Sequence, residues 1–533
     1  MTRLSIGEPM TDKPAGFAVC LAAVALMAVL SALSFQKSLT GDEALTVALA
    51  RGGFVQMVNT VARESHVPGY HVLLWLWIRA FGASLPVLRL FAFIPVGILV
   101  LAGCRNFPRY GYLVLATSPF LLHLAVELRM YGLMALAGMG ILLILMRIAR
   151  KFTTGGFVAL AAFCVAGVWT LHFAWLAVAA ALVVLFRLKR RLHALILAVT
   201  VLAAFSPWAP NMVRQFHRFS PGGESGEFQM FELASPAQRV LGAPFSMAGT
   251  LLRFAAGNGA FRFSLFSLGS LSPWVIAGFL LLGLTLWSAL LGRRYPGFGG
   301  WLLLLFVLVP VSFLRPSARH FSLAYPVFAA MVAAGISGEG ALRRVLRVSV
   351  PVLSLVMCVP FVTRSTLPQR CTFDRDFREA ARIAGEAALS GNGSLVAYLD
   401  THSLLCVRYH LDEQGLSEVE LIHPHMERHA SGWLIYFEPE DLVAYLLHNT
   451  DSLVCTWGTD FVLLANDPRL ARGPLFGTGN TLIGRGSDMI ADVDLMDCLE
   501  RHFTFERISL PGSRGPLSLF RVTGSGEQQR SLQ

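Results

Sequence analysis

Eleven stretches of mostly apolar residues mark the first two-thirds of the chain, at roughly 16–35, 87–104, 111–126, 130–147, 156–172, 174–186, 194–208, 273–292, 299–314, 321–337 and 347–363. A helix that crosses a bilayer needs about 20 such residues. In lipid the backbone must satisfy its own polar groups, so a series of these stretches confines the chain to a helical membrane fold. Composition agrees. Of 533 residues, 55% are hydrophobic and only 14% charged, against roughly 25% charged in soluble domains. Disorder, a collagen-like fibre and a small disulfide scaffold are excluded. The first stretch is too long for the apolar core of a cleavable leader and reads as an uncleaved anchor.

Placement of the basic residues orients the fold. The net charge is +11. With the N-terminus inside and no span given to 67–81, every basic cluster falls in an inner loop. These clusters are Arg105 and Arg109; Arg147, Arg150 and Lys151; Arg187, Lys189, Arg190 and Arg191; Arg293 and Arg294; and Arg343, Arg344 and Arg347. Counting 67–81 as a twelfth span would put all five outside, against the positive-inside rule. The segment is therefore expected to be a juxtamembrane helix on the outer face, with Trp75 and Trp77 at the interface. The charge is spent on loops, and no nucleic-acid partner follows from it.

The same parity puts 36–86, 209–272 and 364–533 outside. The expected domains are 1–363, a transmembrane domain with outer loops 36–86 and 209–272, and 364–533, an extracytoplasmic α/β domain. In the latter, short apolar runs at 394–400, 433–437 and 452–457 alternate with helix-like stretches at 374–389 and 439–448. The segments 503–510 and 517–523 flank a Pro-Gly-rich turn and predict a hairpin. At about 170 residues this part is long enough for a core of its own.

Ionisable residues collect at the outward ends of the spans. Asp42 and Glu43 follow the first span. The same loop carries His66, Tyr70 and His71 around Pro68-Gly69, then the apolar segment, then Arg89. Ser118-Pro119-Phe120 precede Glu127, Arg129 and Tyr131. His172 ends the fifth span. Arg315, Arg319 and His320 end the ninth, with Tyr325-Pro326 just after. Charge at membrane depth is costly and marks function by default. Each residue also has a plain structural reading. Glu43 serves as a helix cap, Arg89 reaches headgroups, Glu127 and Arg129 pair with other spans, and His172 sits satisfied in a core.

The ordered set DE, H-x-P-x-Y with an apolar helix and L-R-L, S-P-F with E-x-R-M-Y, H-F, and R-P-x-x-R-H with a downstream Y-P resembles the GT-C glycosyltransferases over about 1–340. It is most similar to their bacterial protein O-mannosyltransferase-like and aminoarabinose-transferase-like branch. Two motifs depart from the usual form. Val67 stands where H-P-P-x-Y has its first proline, with Gly69 in the next variable place, and His320 stands where R-Y has tyrosine.

The resemblance implies a multi-pass protein of the bacterial inner membrane. It implies a polyprenyl-phosphate-linked sugar donor, with inverting transfer to an extracytoplasmic acceptor hydroxyl. It makes Asp42 the catalytic acid, assisted by Glu43. It leaves Arg315, Arg319, His320 and Arg89 for the donor phosphate, and His66, Tyr70, His71, Glu127, Arg129, Tyr131 and His172 for substrate. No cofactor is required, and a divalent metal at Asp42-Glu43 is compatible with the wider superfamily. Cys371, Cys406, Cys455 and Cys498 allow three disulfide pairings, and spacing does not choose. A transporter or flippase of lipid-linked sugars, or a non-catalytic relative, is the competing reading. A transporter predicts repeats and broken midplane helices, and the sequence shows no repeat.

Overall fold

Apolar stretches become helices because each helix satisfies its own backbone. A computed structural model of the chain describes residues 16–33, 39–64, 66–219, 248–257, 273–293, 318–363, 377–389, 394–398, 401–422, 453–457, 503–508 and 517–525. The stretch expected at 299–314 lies outside the described residues. Two units are present. One comprises Met1–Gln36 with Leu49–Leu367, the other Lys37–Ala48 with Pro368–Gln533.

The first unit is helical. It contains α1 (Phe17–Leu33), α3 (Phe54–Arg63), α4 (Gly69–Phe81), α5 (Leu85–Asn106), α6 (Gly111–Ala116), α7 (Pro119–Val126), α8 (Tyr131–Arg150), α9 (Thr154–Thr170), α10 (Ala174–Arg187) and α11 (Arg191–Phe205). It continues through α12 (Ala209–Phe219), α13 (248–256), α14 (Pro273–Leu291), α15 (Tyr325–Ser337) and α16 (Ala341–Thr363). α2 (Gly41–Arg51) begins in the other unit and ends in this one. Three described helices, Leu85–Asn106, Tyr131–Arg150 and the run Arg191–Gln215, are long and apolar enough to cross a membrane, and five more are apolar but shorter. α4, the segment excluded as a span on charge grounds, has 13 residues, about 20 Å at 1.5 Å per residue. α5 and α8 form the middle, with α1, α7 and α9 packed around them.

One expected span is broken. The stretch 111–126 is two helices, α6 and α7, separated at Thr117-Ser118. Proline disfavours the helical conformation of the residue before it. Ser118 therefore leaves the helix and caps the next one, its Oγ accepting from the Leu121 N–H at 3.1 Å.

Two glycines bring backbones together where the motifs meet. A Cβ on Gly138 of α8 would lie 2.2 Å from the Leu323 carbonyl oxygen, and one on Gly69 would lie 2.3 Å from that of Trp169. The first close approach seats the 3-10 turn Ala318–Ala324 on α8. The second seats the start of α4 against the end of α9.

The second unit carries a five-stranded sheet of order β2-β1-β3-β5-β4. Its strands are β1 (Ser394–Tyr398), β2 (Glu420–Ile422), β3 (Leu453–Trp457), β4 (Phe503–Ile508) and β5 (Leu517–Ser525). β1 pairs in parallel with β2 and β3, so the chain must cross over between them. α18 (Thr401–Glu413) makes the first crossover and packs on α17 (Phe377–Leu389). β4 and β5 are antiparallel, as the hairpin pattern predicts. The expected elements at 433–437 and 439–448 lie outside the described residues. α18 and β2 had no expectation.

Candidate active site

α2 opens with a reciprocal cap. The Thr40 N–H donates to Glu43 Oε2 at 2.8 Å, and the Glu43 N–H donates to Thr40 Oγ1 at 3.4 Å. This is the S/T-x-x-E capping box, and it gives the buried Glu43 side chain a structural task. Asp42 lies beside it in the first helical turn, half-buried. The segment belongs to the unit that contains the C-terminal sheet. Within that unit the Cys406 thiol of α18 donates to the Leu39 carbonyl at 3.3 Å, so Cys406 takes no part in a disulfide. Cys371 and Cys498 lie outside the described residues.

In the helical unit the remaining candidates form a contiguous chain of contacts. Its centre is Glu127, in the break between α7 and α8 and 6% exposed. Arg319, from the 3-10 turn after the ninth stretch, donates to Glu127 Oε1 at 2.5 Å. His123, one turn earlier on α7, places Nε2 at 3.1 Å from Oε2. Burial alone would raise the Glu127 carboxyl. The charge of Arg319, followed by His123 and Arg129, overcomes this and holds it at about 2, so it is ionised at any physiological pH. Arg319 also lies over the Tyr131 ring, 5.2 Å from its centroid. The Ser322 hydroxyl donates to the Tyr131 carbonyl at 2.9 Å and fastens the same turn to α8.

Arg129 extends the chain to the first motif-bearing loop. Its Nη2 lies 3.3 Å from His66 Nε2. Arginine only donates, so this histidine nitrogen accepts, and the ring proton sits on Nδ1. The His66 ring stacks on His71, with centroids 6.1 Å apart, and Tyr70 meets His71 edge-on at 5.8 Å. Burial, then the nearby Arg129 charge, lowers the His71 imidazole to about 3, so it stays neutral. Arg89, 1% exposed, donates to the Val126 carbonyl at 2.5 Å. It ties α5 to the end of α7 and does not reach outward to headgroups. His172 faces the Gln215 amide across the α9–α10 turn. Arg315 lies outside the described residues, and only the backbone of His320 is described, in the 3-10 turn.

The S-P-F and Y-P motifs have a structural role. Tyr325 donates its hydroxyl to Ser118 Oγ at 2.6 Å. Phe120, Tyr325 and Phe254 of α13 pack as an aromatic trio with centroids 4.9–5.6 Å apart. This anchors α13, whose Arg253 lies within reach of the Arg319 charge. Burial and then the Arg319 charge lower Arg253 below the ordinary arginine value. The Arg253 carbonyl accepts from the Gly257 N–H at 2.9 Å. Sequence reasoning missed Arg253, His123 and Gln215. Arg253 sits in no motif, and the signal available was a lone arginine in the apolar run LLRFAAG. Among the described residues no three His, Cys, Asp or Glu side chains converge as metal ligands.

No family model matches the sequence, and neither does any curated relative. Solved structures do. The fold is similar to the crystal structure of ArnT from Cupriavidus metallidurans in the apo state. That match has a TM-score of 0.50 and 14% identity, covering 84% of this chain and 94% of ArnT. The structure of the same ArnT bound to undecaprenyl phosphate matches with a TM-score of 0.51 and 15% identity, covering 85% and 95%. At this identity the likeness is one of fold alone, and the chain has the helical fold seen in ArnT.

Proposed function

We propose that the chain is a membrane glycosyltransferase that moves a sugar from a polyprenyl-phosphate donor to an extracytoplasmic acceptor hydroxyl. The observation that carries this reading is the buried cluster in which Glu127 holds Arg319 through a 2.5 Å hydrogen bond beside His123. The Arg253 guanidinium, on α13, also lies within reach of the Arg319 charge. Arg129, Arg253 and Arg319 together outnumber the single Glu127 carboxylate, so a further anion would be favoured there. A lipid phosphate is such an anion, and a guanidinium suits it because its planar fork can hold two oxygens. The ArnT structure with undecaprenyl phosphate supports the choice of donor class.

In the proposed reaction the acceptor hydroxyl attacks the anomeric carbon from the face opposite the phosphate. Asp42 takes the hydroxyl proton. The bond from the anomeric carbon to the phosphate oxygen breaks, the electron pair leaves with the polyprenyl phosphate, and the anomeric configuration inverts. A base acts only within hydrogen-bond reach of the proton it removes. Leaving-group charge is best met by donors fixed in advance, and the Glu127 carboxylate fixes Arg319 in that way. Glu43 orients the turn that carries Asp42. His66, Tyr70, His71, Arg129, Tyr131 and His172 line or support the substrate side, Arg315, His320 and Arg89 belong to the phosphate side, and both sides face the periplasm. The test is transfer of label from a polyprenyl-phosphate sugar by the purified full chain. An Arg253→Ala variant should need more donor for the same rate.

A further inference from the structure

The turn bearing His66 is held from a helix that none of the motifs includes. Gln215, on α12, is 5% exposed. Its Nε2 donates to the His66 carbonyl at 2.9 Å, to the Val61 carbonyl at 3.1 Å and to the Ala62 carbonyl at 3.4 Å. Val61 and Ala62 belong to the last turn of α3, where the Glu64 N–H also donates to the Val61 carbonyl at 3.2 Å. Carbonyls only accept, so the amide has one possible orientation, with NH2 toward the turn and Oε1 away from it. The Oε1 atom is buried with no hydrogen-bond partner among the described residues.

His66 is thereby gripped at two points. Gln215 holds its backbone, and Arg129 meets its ring nitrogen at 3.3 Å. Arg129 in turn is one of the charges acting on Glu127. A backbone shift at His66 would move the ring away from Arg129, and small errors of placement at a site cost rate steeply. We propose that Gln215 is a positioning residue for the transfer reaction, setting the place of His66 from α12 and, through His66, that of Arg129. This rests on the function proposed above.

Gln215→Leu keeps much of the side-chain bulk and removes the donors. Gln215→Lys restores N–H donors toward the same three carbonyls. In the full-length protein, amide exchange across 61–66 should quicken by about tenfold in Gln215→Leu and return toward the parent in Gln215→Lys. Transfer should fall by about 10- to 100-fold in Gln215→Leu, with partial recovery in Gln215→Lys. Combining Gln215→Leu with His66→Ala should cost little more than His66→Ala alone, because both act through one ring. Unchanged exchange in Gln215→Leu overturns the hold on the turn. Losses that simply add in the double variant overturn the positioning role. If Gln215→Leu does not fold, Gln215→Asn, too short to span all three carbonyls, serves the same comparisons. If the parent transfers no sugar, the proposed reaction fails, while the exchange measurement still decides whether Gln215 holds His66.

Discussion

In the helical unit the ion pair between Arg319 and Glu127 has side-chain exposures of 16% and 4%, whereas in the C-terminal unit the pair between Arg382 and Glu386 has 41% and 55%. The second pair is a helical i,i+4 contact of the kind that surfaces carry freely. The first joins residues 192 positions apart and is flanked by His123, Arg129 and Arg253. Removing charges from water costs several kcal/mol per ion. A lone pair of this kind is weak evidence for stability and better evidence for a task. The comparison separates charge that solubilises from charge that is held in place. Asp42 is half-buried at the start of α2.

The largest expected effect is at Asp42. Asp42→Asn keeps the size and loses the proton acceptor, so turnover should fall by about 10²–10⁴-fold with donor binding retained. Glu43→Gln should be far milder, since a neutral amide oxygen still accepts from Thr40. Steady-state kinetics on both variants check the division of labour. Equal losses would mean that the capping box, not the base, carries the effect.

Next comes the buried pair. Glu127→Leu strands a guanidinium in a poorly solvated place and should destabilise the fold by about 3–5 kcal/mol. Thermal unfolding in detergent reads this directly. Arg253→Ala should leave stability nearly intact and weaken donor use by about 1.5–3 kcal/mol, the scale of a charged hydrogen bond. It should appear as a raised donor KM. Arg319→Ala would mix both effects, which makes Arg253 the cleaner probe. The smallest change belongs to the exposed pair. Arg382→Ala should shift stability by no more than about 1 kcal/mol, and a larger loss would blur the contrast between the two units.

Much of the helical unit was legible from apolar periodicity. Charge placement argued against a span at 67–81, which forms the 13-residue helix α4. The hairpin of β4 and β5 followed from two alternating runs around a turn. The break at Ser118 was written in Ser118-Pro119 but hidden within an apolar stretch long enough to pass for one helix. The motif order brought attention to Glu127, Arg129, Arg319 and His66. It could not say that Arg319 meets Glu127 while Arg129 meets His66, because those pairings depend on how distant segments pack. Arg253 and Gln215 were illegible for the same reason. Nothing in the residues around them differs from an ordinary amphipathic helix, and only the aromatic trio and the α3–α12 contact bring them to the site. Nor did spacing suggest that 37–48 groups with the C-terminal sheet.

The most direct test is transfer from a sugar-labelled polyprenyl phosphate by the purified full chain in liposomes, with membrane extract as the source of acceptor. The account predicts that label moves to an acceptor while one polyprenyl phosphate is freed for each sugar moved, and that Asp42→Asn abolishes both together. A donor that is bound, or carried across the bilayer, with its sugar–phosphate bond intact would contradict it.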